Sequence, residues 1–165
     1  MNIYLIGMPG CGKSTIGKAT AEKTGLPFID ADNIITEKQK MSINDIFAKH
    51  GEEYFRNLET EALRSVSTAE NAIIATGGGA VLRQENIDIM KKTGKLIYIN
   101  TPVETILSQA DFSSRPLLKD NAAKIHALYD TRHPIYTSCA DIVLDFNEDI
   151  VETLCSNSSL LIPNS

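Results

Sequence analysis

Residues 7–14, with the sequence GMPGCGKS, constrain this chain more than any other stretch. They fit the phosphate-binding pattern G-x-x-x-x-G-K-[ST], follow a short apolar run at residues 3–6, and lead into a segment with helical character. Glycines let the backbone curl until successive N–H groups converge on one point, and the N-terminus of the next helix adds positive potential. The pattern therefore predicts a strand, a loop for the phosphates of a nucleoside triphosphate, and a helix.

The side chains of this phosphate loop (residues 7–14) suit ATP and magnesium. Lys13 would bring a mobile positive charge to the β- and γ-phosphates, and the hydroxyl of Ser14 suits Mg²⁺, a hard cation that prefers oxygen ligands. The predicted ATP-binding residues in and just after the loop are Gly10, Cys11, Gly12, Lys13, Ser14 and Thr15.

Length and composition indicate an ordinary globular chain. With 165 residues, 42% of them hydrophobic and 22% charged, we expect one domain. The formal net charge of -5 argues against a nucleic-acid partner, because neutralising a phosphate backbone needs a basic face. The three cysteines have neither disulfide nor zinc spacing, which favours a reducing cytoplasm. No apolar run approaches the ~20 residues of a membrane span, so no membrane partner and no targeting segment are expected.

Apolar strands alternate with helical patterns along the chain, which predicts an α/β fold with a parallel, doubly wound sheet. The predicted strands are residues 2–6, 28–29, 72–76, 95–100 and 141–144. The predicted helices are residues 13–24, 42–50, 52–68, 84–92, 122–132 and 148–154, with another that starts at Thr101 as N-cap and Pro102 as first helical residue. We expect a single domain over residues 1–155, a mobile segment over the site at about 111–121, and a frayed tail at 156–165.

Two carboxylates, Asp30 and Asp32, stand where the second predicted strand ends. The carboxyl ends of strands in open α/β sheets are where ligands bind. Side chains two residues apart need not face the same way, so one could serve Mg²⁺ through water while the other accepts a proton from an acceptor hydroxyl. Alternatively, Asp32 caps a solvated helix. The residues alone leave both interpretations open.

Six segments, taken together and in order, resemble the shikimate kinase family over about residues 1–145. These segments are residues 7–14, residues 28–32, Gly51-Glu52 with Phe55-Arg56 and Glu59, residues 76–79, residues 115–118 and residues 132–136. The resemblance implies a three-layer α/β/α P-loop kinase fold with sheet order 2-3-1-4-5 and a mobile lid. It implies transfer of the γ-phosphoryl group of ATP, with Mg²⁺, to the 3-hydroxyl of shikimate in chorismate biosynthesis.

The resemblance also implies a role for each matching residue. The catalytic residues would be Asp32 as base, Lys13, and the lid residue Arg115, which would also bind ATP. The shikimate-binding residues would be Asp32, Arg56, Gly77, Gly78, Gly79 and Arg132, with Glu59 orienting Arg56. The metal would be held by Ser14 and, through water, by Asp30. The implied partners are shikimate and ATP, for a chain that we expect to be a monomer.

Some features depart from the family or allow another interpretation. Ser108 stands where the family often has an arginine that stacks on adenine, and residues 145–148 replace the usual adenine loop, so the adenine contacts stay open. Arg56 could also serve only to pair with Glu52 or Glu59 along one helix. The alternative functions are another P-loop kinase, acting on gluconate or a nucleoside monophosphate, and a non-catalytic ATP-binding regulatory module.

Overall fold

The structure, a computed structural model, describes residues 1–109 and 122–157. Its five strands pair in parallel in the order β2-β3-β1-β4-β5, which confirms the predicted α/β class and the implied sheet order. The strands are β1 (Asn2–Ile6), β2 (Phe28–Asp30), β3 (Ile73–Ala75), β4 (Gly94–Asn100) and β5 (Ile142–Asp145).

The described residues also form eight α-helices and one turn of 3₁₀ helix, at Ala80–Leu82. The helices are α1 (Lys13–Thr24), α2 (Ala31–Gln39), α3 (Ile43–His50), α4 (Glu52–Val66), α5 (Gln84–Thr93), α6 (Val103–Gln109), α7 (Ala122–Cys139) and α8 (Ile150–Ser156). Within the described residues, no helix has the length and apolar character needed to cross a membrane.

The central strand β1 lies between β3 and β4, and every one of its five residues is buried. A strand covered on both faces reads as a continuous apolar run, which is why residues 3–6 show no alternation. Helix α1 packs on α8, α4 packs on α5, and α5 and α7 contact β4. Because all the strand pairs are parallel, the carboxyl ends of the strands and the loops that follow them lie at one edge of the sheet.

Two helices differ from the prediction. Helix α2 was missed because it follows β2 without a loop and has a mostly polar sequence, so no apolar stripe marks it. Helix α7 runs to Cys139 instead of ending at Arg132, although Pro134 lies inside it. Tyr136 and Cys139 are buried, and this burial holds the second half of α7 in place despite the proline.

The start of α6 also corrects the prediction. The helix begins at Val103, so Pro102 precedes it and Thr101 is not its N-cap. The hydroxyl of Thr101 instead donates to the carbonyl of Cys11, at 2.9 Å, and so ties the phosphate loop to the end of β4. The predicted mobile segment at 111–121, with Arg115, and residues 158–165 of the predicted tail lie outside the described residues.

Candidate active site

The phosphate loop connects β1 to α1, as the pattern predicted. Gly12 has a φ of 99°, a left-handed conformation that favours glycine, and its carbonyl accepts the amide of Ile16 at 2.9 Å as the first bond of α1. The side chain of Cys11 is fully buried beneath the loop. The loop therefore ends at the N-terminus of a 12-residue helix, a position suited to an anion.

Lys13 is folded onto the loop that precedes it. Its buried ammonium donates to the carbonyls of Gly7 and Met8, both at 2.8 Å, and lies 3.5 Å from the sulfur of Cys11. These carbonyls hold the cation in a fixed place beside the loop. Positive charge is thus already present where the predicted phosphates would lie.

Asp30 uses both of its carboxylate oxygens. Oδ2 accepts the hydroxyl of Ser14 at 2.5 Å, while Oδ1 accepts the amides of Asp32 and Asn33 at 3.0 and 3.3 Å. Asp30 is therefore the N-cap of α2, and the alternative that Asp32 caps this helix is wrong. The contact with Ser14 brings two hard oxygen ligands together at the predicted metal position.

Asp32 lies in the first turn of α2, next to the capping residue Asp30. Its Oδ1 is buried and has no hydrogen-bond partner among the described residues. Burial, and then the negative charge of Asp30, raises the pKa of Asp32 above 3.8, whereas the charges of Lys13 and Arg56 lower it. A buried acceptor of this kind needs a donor, and the hydroxyl of a bound substrate would supply one.

Apolar residues at helical spacing on α4, among them Phe55 and Leu63, form a stripe that faces the core. Arg56 and Glu59 lie one turn apart off this stripe, yet both are buried, with only 8% and 1% of their surface exposed. Nη1 of Arg56 donates to Oε2 of Glu59 at 2.9 Å, and Nη2 donates to Glu52 at 3.4 Å. Burial raises the pKa of Glu59, and the charge and hydrogen bond of Arg56 oppose the rise. Both ion pairs of the alternative interpretation therefore exist. However, Nε of Arg56 and Oε1 of Glu59 still lack partners among the described residues.

The glycine segment (residues 77–79) follows β3 and contacts these side chains with its backbone. A Cβ atom added to Gly77 would lie 2.7 Å from Oε1 of Glu59 and 2.9 Å from Oδ1 of Asp32, and one added to Gly79 would meet the guanidinium of Arg56. A Cβ atom on Gly78 would lie 2.6 Å from Cδ of Pro9, in the phosphate loop. Only glycine leaves room for these contacts.

Arg132 lies on α7, close enough to Glu59 of α4 for its positive charge to act on that carboxyl group. Burial raises the pKa of Glu59 on α4 and of Tyr136 on α7, and the positive charge of Arg132 opposes both rises. Four predicted residues thus come together beside the glycine segment, and we refer to them as the acceptor cluster: Asp32, Arg56, Glu59 and Arg132. The charge of Lys13 also reaches Asp32, so the acceptor cluster adjoins the phosphate loop.

Comparisons with known proteins agree with this geometry. The family model described as shikimate kinase matches residues 9–159. A shikimate kinase of Clostridium beijerinckii is 41% identical over 162 residues, which cover 98% of this chain and 95% of the relative. The chain belongs to the shikimate kinase family.

Solved structures of shikimate kinases share the fold. The enzyme of Acinetobacter baumannii, in complex with shikimate, superposes with a TM-score of 0.85 at 36% identity, covering 95% of this chain and 89% of that one. The enzyme of Aquifex aeolicus gives a TM-score of 0.82 at 39% identity, covering 96% and 97%. The resemblance in the sequence is thereby confirmed at the level of family and fold.

The sequence did not predict the hydrogen bonds of two buried side chains, Tyr136 and Asn86, in this member of the shikimate kinase family. The hydroxyl of Tyr136 donates to the carbonyl of Gly78 at 2.5 Å. Tyr136 lies four residues after Arg132. If the predicted helix had been extended past Arg132, this spacing would have placed both residues on one helix face. Asn86 donates to the carbonyl of Ala80 at 3.0 Å and accepts from Thr60 at 2.8 Å, which joins α5, α4 and the 3₁₀ turn that follows the glycine segment. No sequence pattern signals that tie.

The positions that depart from the family pattern have local roles here. Ser108 is exposed and its hydroxyl donates to the carbonyl of Thr105, at 2.9 Å in the preceding turn of α6. The ring of Phe146 packs on the core, where a Cβ atom on Gly12 would lie 3.7 Å from it. Residue 146 therefore supports the phosphate loop from behind.

Proposed function

We propose that this protein is a shikimate kinase that transfers the γ-phosphoryl group of ATP to the 3-hydroxyl of shikimate, yielding ADP and shikimate 3-phosphate. One observation carries the proposal. The acceptor cluster presents a carboxylate oxygen that has no hydrogen-bond partner among the described residues, together with two arginines. The glycine segment lies between this cluster and a loop built for phosphates. Shikimate has a carboxylate at one end and hydroxyls at the other, and it matches this arrangement of charges.

Phosphate binding would fall to the loop and to Lys13. The loop amides and the N-terminus of α1 accept the anionic phosphates. Lys13 exchanges its contacts with the carbonyls of Gly7 and Met8 for phosphate oxygens, and so neutralises charge that develops during transfer. Because the ammonium already lies at the loop, little of its side-chain freedom remains to be lost on binding.

The metal site would consist of Ser14 as a ligand and of Asp30 acting through water. Their oxygens lie 2.5 Å apart, and both are of the hard type that Mg²⁺ prefers. Within the described residues there is no group of three or more His, Cys, Asp or Glu side chains that could hold a metal alone. This fits Mg²⁺, which keeps several waters and takes one or two protein oxygens together with phosphates. When bound, Mg²⁺ would neutralise charge on the β- and γ-phosphates.

Shikimate would be held by its carboxylate and activated at its hydroxyl. Arg56 and Arg132 bind the carboxylate, because a guanidinium offers paired donors that match it. Glu59 fixes the orientation of Arg56 through the 2.9 Å bond. Asp32 accepts the proton of the 3-hydroxyl, and its raised pKa makes it a better proton acceptor than a fully solvated aspartate. The amides of Gly77, Gly78 and Gly79 can approach the reacting groups without obstruction from side chains.

The remaining assignments rest on the family resemblance. Arg115 would stabilise charge on the transferring group as part of a lid at about 111–121, and closure of this lid would exclude water. We propose one kinase domain over residues 1–155, acting as a monomer. The adenine contacts remain unassigned, because Ser108 and Phe146 satisfy local contacts of their own.

A coupled assay of ADP release tests the function. Purified protein with ATP and Mg²⁺ is supplied in turn with shikimate, gluconate and nucleoside monophosphates. We expect ADP release that depends on shikimate and yields shikimate 3-phosphate by mass spectrometry. Release that depends on another acceptor would point to a different small-molecule kinase. Nucleotide binding without turnover on any acceptor would point to a regulatory module. Either result would refute the proposal.

A further inference from the structure

Tyr136 is a fully buried residue at the boundary between the acceptor cluster and the glycine segment. It lies on α7 one turn after Arg132, and its hydroxyl donates to the carbonyl of Gly78 at 2.5 Å. Its ring stacks on that of Tyr98 in β4, with 4.9 Å between centroids and 29° between planes. The sheet therefore fixes the ring, and the ring fixes the hydroxyl.

The carbonyl that receives this bond belongs to the middle residue of the glycine segment. On one side of it, Gly77 contacts the carboxylates of Asp32 and Glu59, and on the other, Gly79 contacts Arg56. Gly78 itself packs on the ring of Pro9 in the phosphate loop. A displacement of this one carbonyl would consequently move the contacts to the base, to an acceptor arginine and to the phosphate loop together.

The hydroxyl also adjoins the second acceptor arginine. Burial raises the pKa of Tyr136 to about 12, although the positive charge of Arg132 opposes the rise. The hydroxyl therefore keeps its proton at neutral pH and remains a donor to Gly78. It is bonded to the backbone of the glycine segment, and Arg132 lies one helical turn before it on α7.

We propose that Tyr136 is a positioning residue for the phosphoryl transfer. By holding the carbonyl of Gly78, its hydroxyl keeps the glycine segment in register with Arg132 on one side and with the phosphate loop on the other. The inference rests on the proposed function, since it assumes that the acceptor cluster binds shikimate.

The variant Tyr136→Phe removes the hydroxyl and keeps the stacked ring. We expect kcat to fall and KM for shikimate to rise, so that kcat/KM for shikimate decreases about tenfold, the scale of one buried hydrogen bond. KM for ATP should change less than KM for shikimate, because Gly78 meets the phosphate loop at Pro9, whereas Lys13 is held by the carbonyls of Gly7 and Met8.

The variant Tyr4→Phe is the matched control. Tyr4 is also fully buried, and its hydroxyl shares a 2.7 Å hydrogen bond with Thr93, at the opposite edge of the sheet. We expect Tyr4→Phe to lower Tm about as much as Tyr136→Phe does, but to leave the kinetics unchanged. The inference is refuted if Tyr136→Phe keeps wild-type kinetics. It is equally refuted if Tyr136→Phe only lowers the active fraction, with the KM values for shikimate and ATP unchanged.

The wild-type protein is assayed first, which separates this inference from the proposed function. No shikimate-dependent turnover by the wild type would refute both. Turnover by the wild type that Tyr136→Phe leaves unaltered would refute only the role of Tyr136. If Tyr136→Phe does not fold, 3-fluorotyrosine placed at position 136 gives a ¹⁹F signal in its stead. We expect this signal to shift on saturation with shikimate, and an unchanged signal would overturn the inference.

Discussion

Replacing Asp32 with asparagine separates chemistry from binding, because the two side chains have nearly the same size. Oδ1 of Asp32 is buried without a hydrogen-bond partner among the described residues, so it is available to accept the proton of a substrate hydroxyl. Removal of a general base costs about 10²–10⁴-fold in rate. We expect kcat to fall by that factor. KM for shikimate should change little, since Arg56 and Arg132 hold the other end of the substrate.

The same replacement should raise thermal stability at neutral pH. Burial, and then the charge of Asp30, raises the pKa of Asp32 above 3.8, so the native state keeps this proton at pH values where the unfolded chain has lost it. The contribution of the group to the free energy of unfolding is therefore largest below pH 3.8 and is lost as the pH rises through the raised pKa. Asparagine cannot ionise and avoids that loss. Asp32→Asn should accordingly have a higher Tm than the wild type at pH 7.

Three measurements check this reasoning, with Asp88→Asn as the control. Asp88 is an exposed aspartate on α5, so its replacement changes the net charge equally without touching the site. The first measurement is steady-state kinetics by coupled ADP release. The second is the pH profile of kcat/KM, whose acid limb should follow the raised pKa of Asp32. The third is Tm at pH 7. Near-normal turnover would remove Asp32 as the base, and a lower Tm would show that burial does not penalise its charge.

Three further variants test the other side chains in the same assay. Arg56→Lys should raise KM for shikimate about 10- to 100-fold with little change in KM for ATP, because the forked guanidinium contact is lost. The control Arg64→Lys, at an exposed position on the same helix, should behave as wild type. Gly79 has a φ of -95°, which alanine can also adopt, but the Cβ atom of Gly79→Ala would displace the guanidinium of Arg56. KM for shikimate should therefore rise about 10- to 100-fold, while ATP binding is retained. Lys13→Met should lower kcat about 100-fold or more, because the charge that stabilises the transferred group is gone. An effect confined to KM for ATP in the first two variants would mean that the acceptor site is misplaced.

Much of the fold was predictable because strong local patterns specify it. The phosphate loop pattern required a strand before it and a helix after it, and both are present with the predicted bounds, at Asn2–Ile6 and Lys13–Thr24. Helix α2 was not predictable in this way. Its start depends on the carboxylate of Asp30, which caps the helix directly after the strand, and a polar surface helix carries no apolar period.

The burial of Arg56 and Glu59 shows a limit of periodicity. Apolar spacing located the stripe of α4 that faces the core, including Phe55 and Leu63, but charged residues off a stripe are ordinarily solvated. Here α4 buries a second face, because the glycine segment lies against it. Only the resemblance of the motifs to a known family marked these two residues, since their own spacing is equally typical of a surface ion pair.

The glycine segment determines how the acceptor cluster meets the phosphate loop, and it does so with backbone atoms. Gly77 lies against the carboxylates, Gly78 against the phosphate loop, and Gly79 against a guanidinium. A side chain at any of the three would separate groups that phosphoryl transfer needs within contact distance. Patterns of side chains can therefore identify the residues of the acceptor cluster and of the phosphate loop. The distance between these two groups, however, is set by the backbone of the glycine segment. This is why the tie from Tyr136 to Gly78 became visible only in three dimensions.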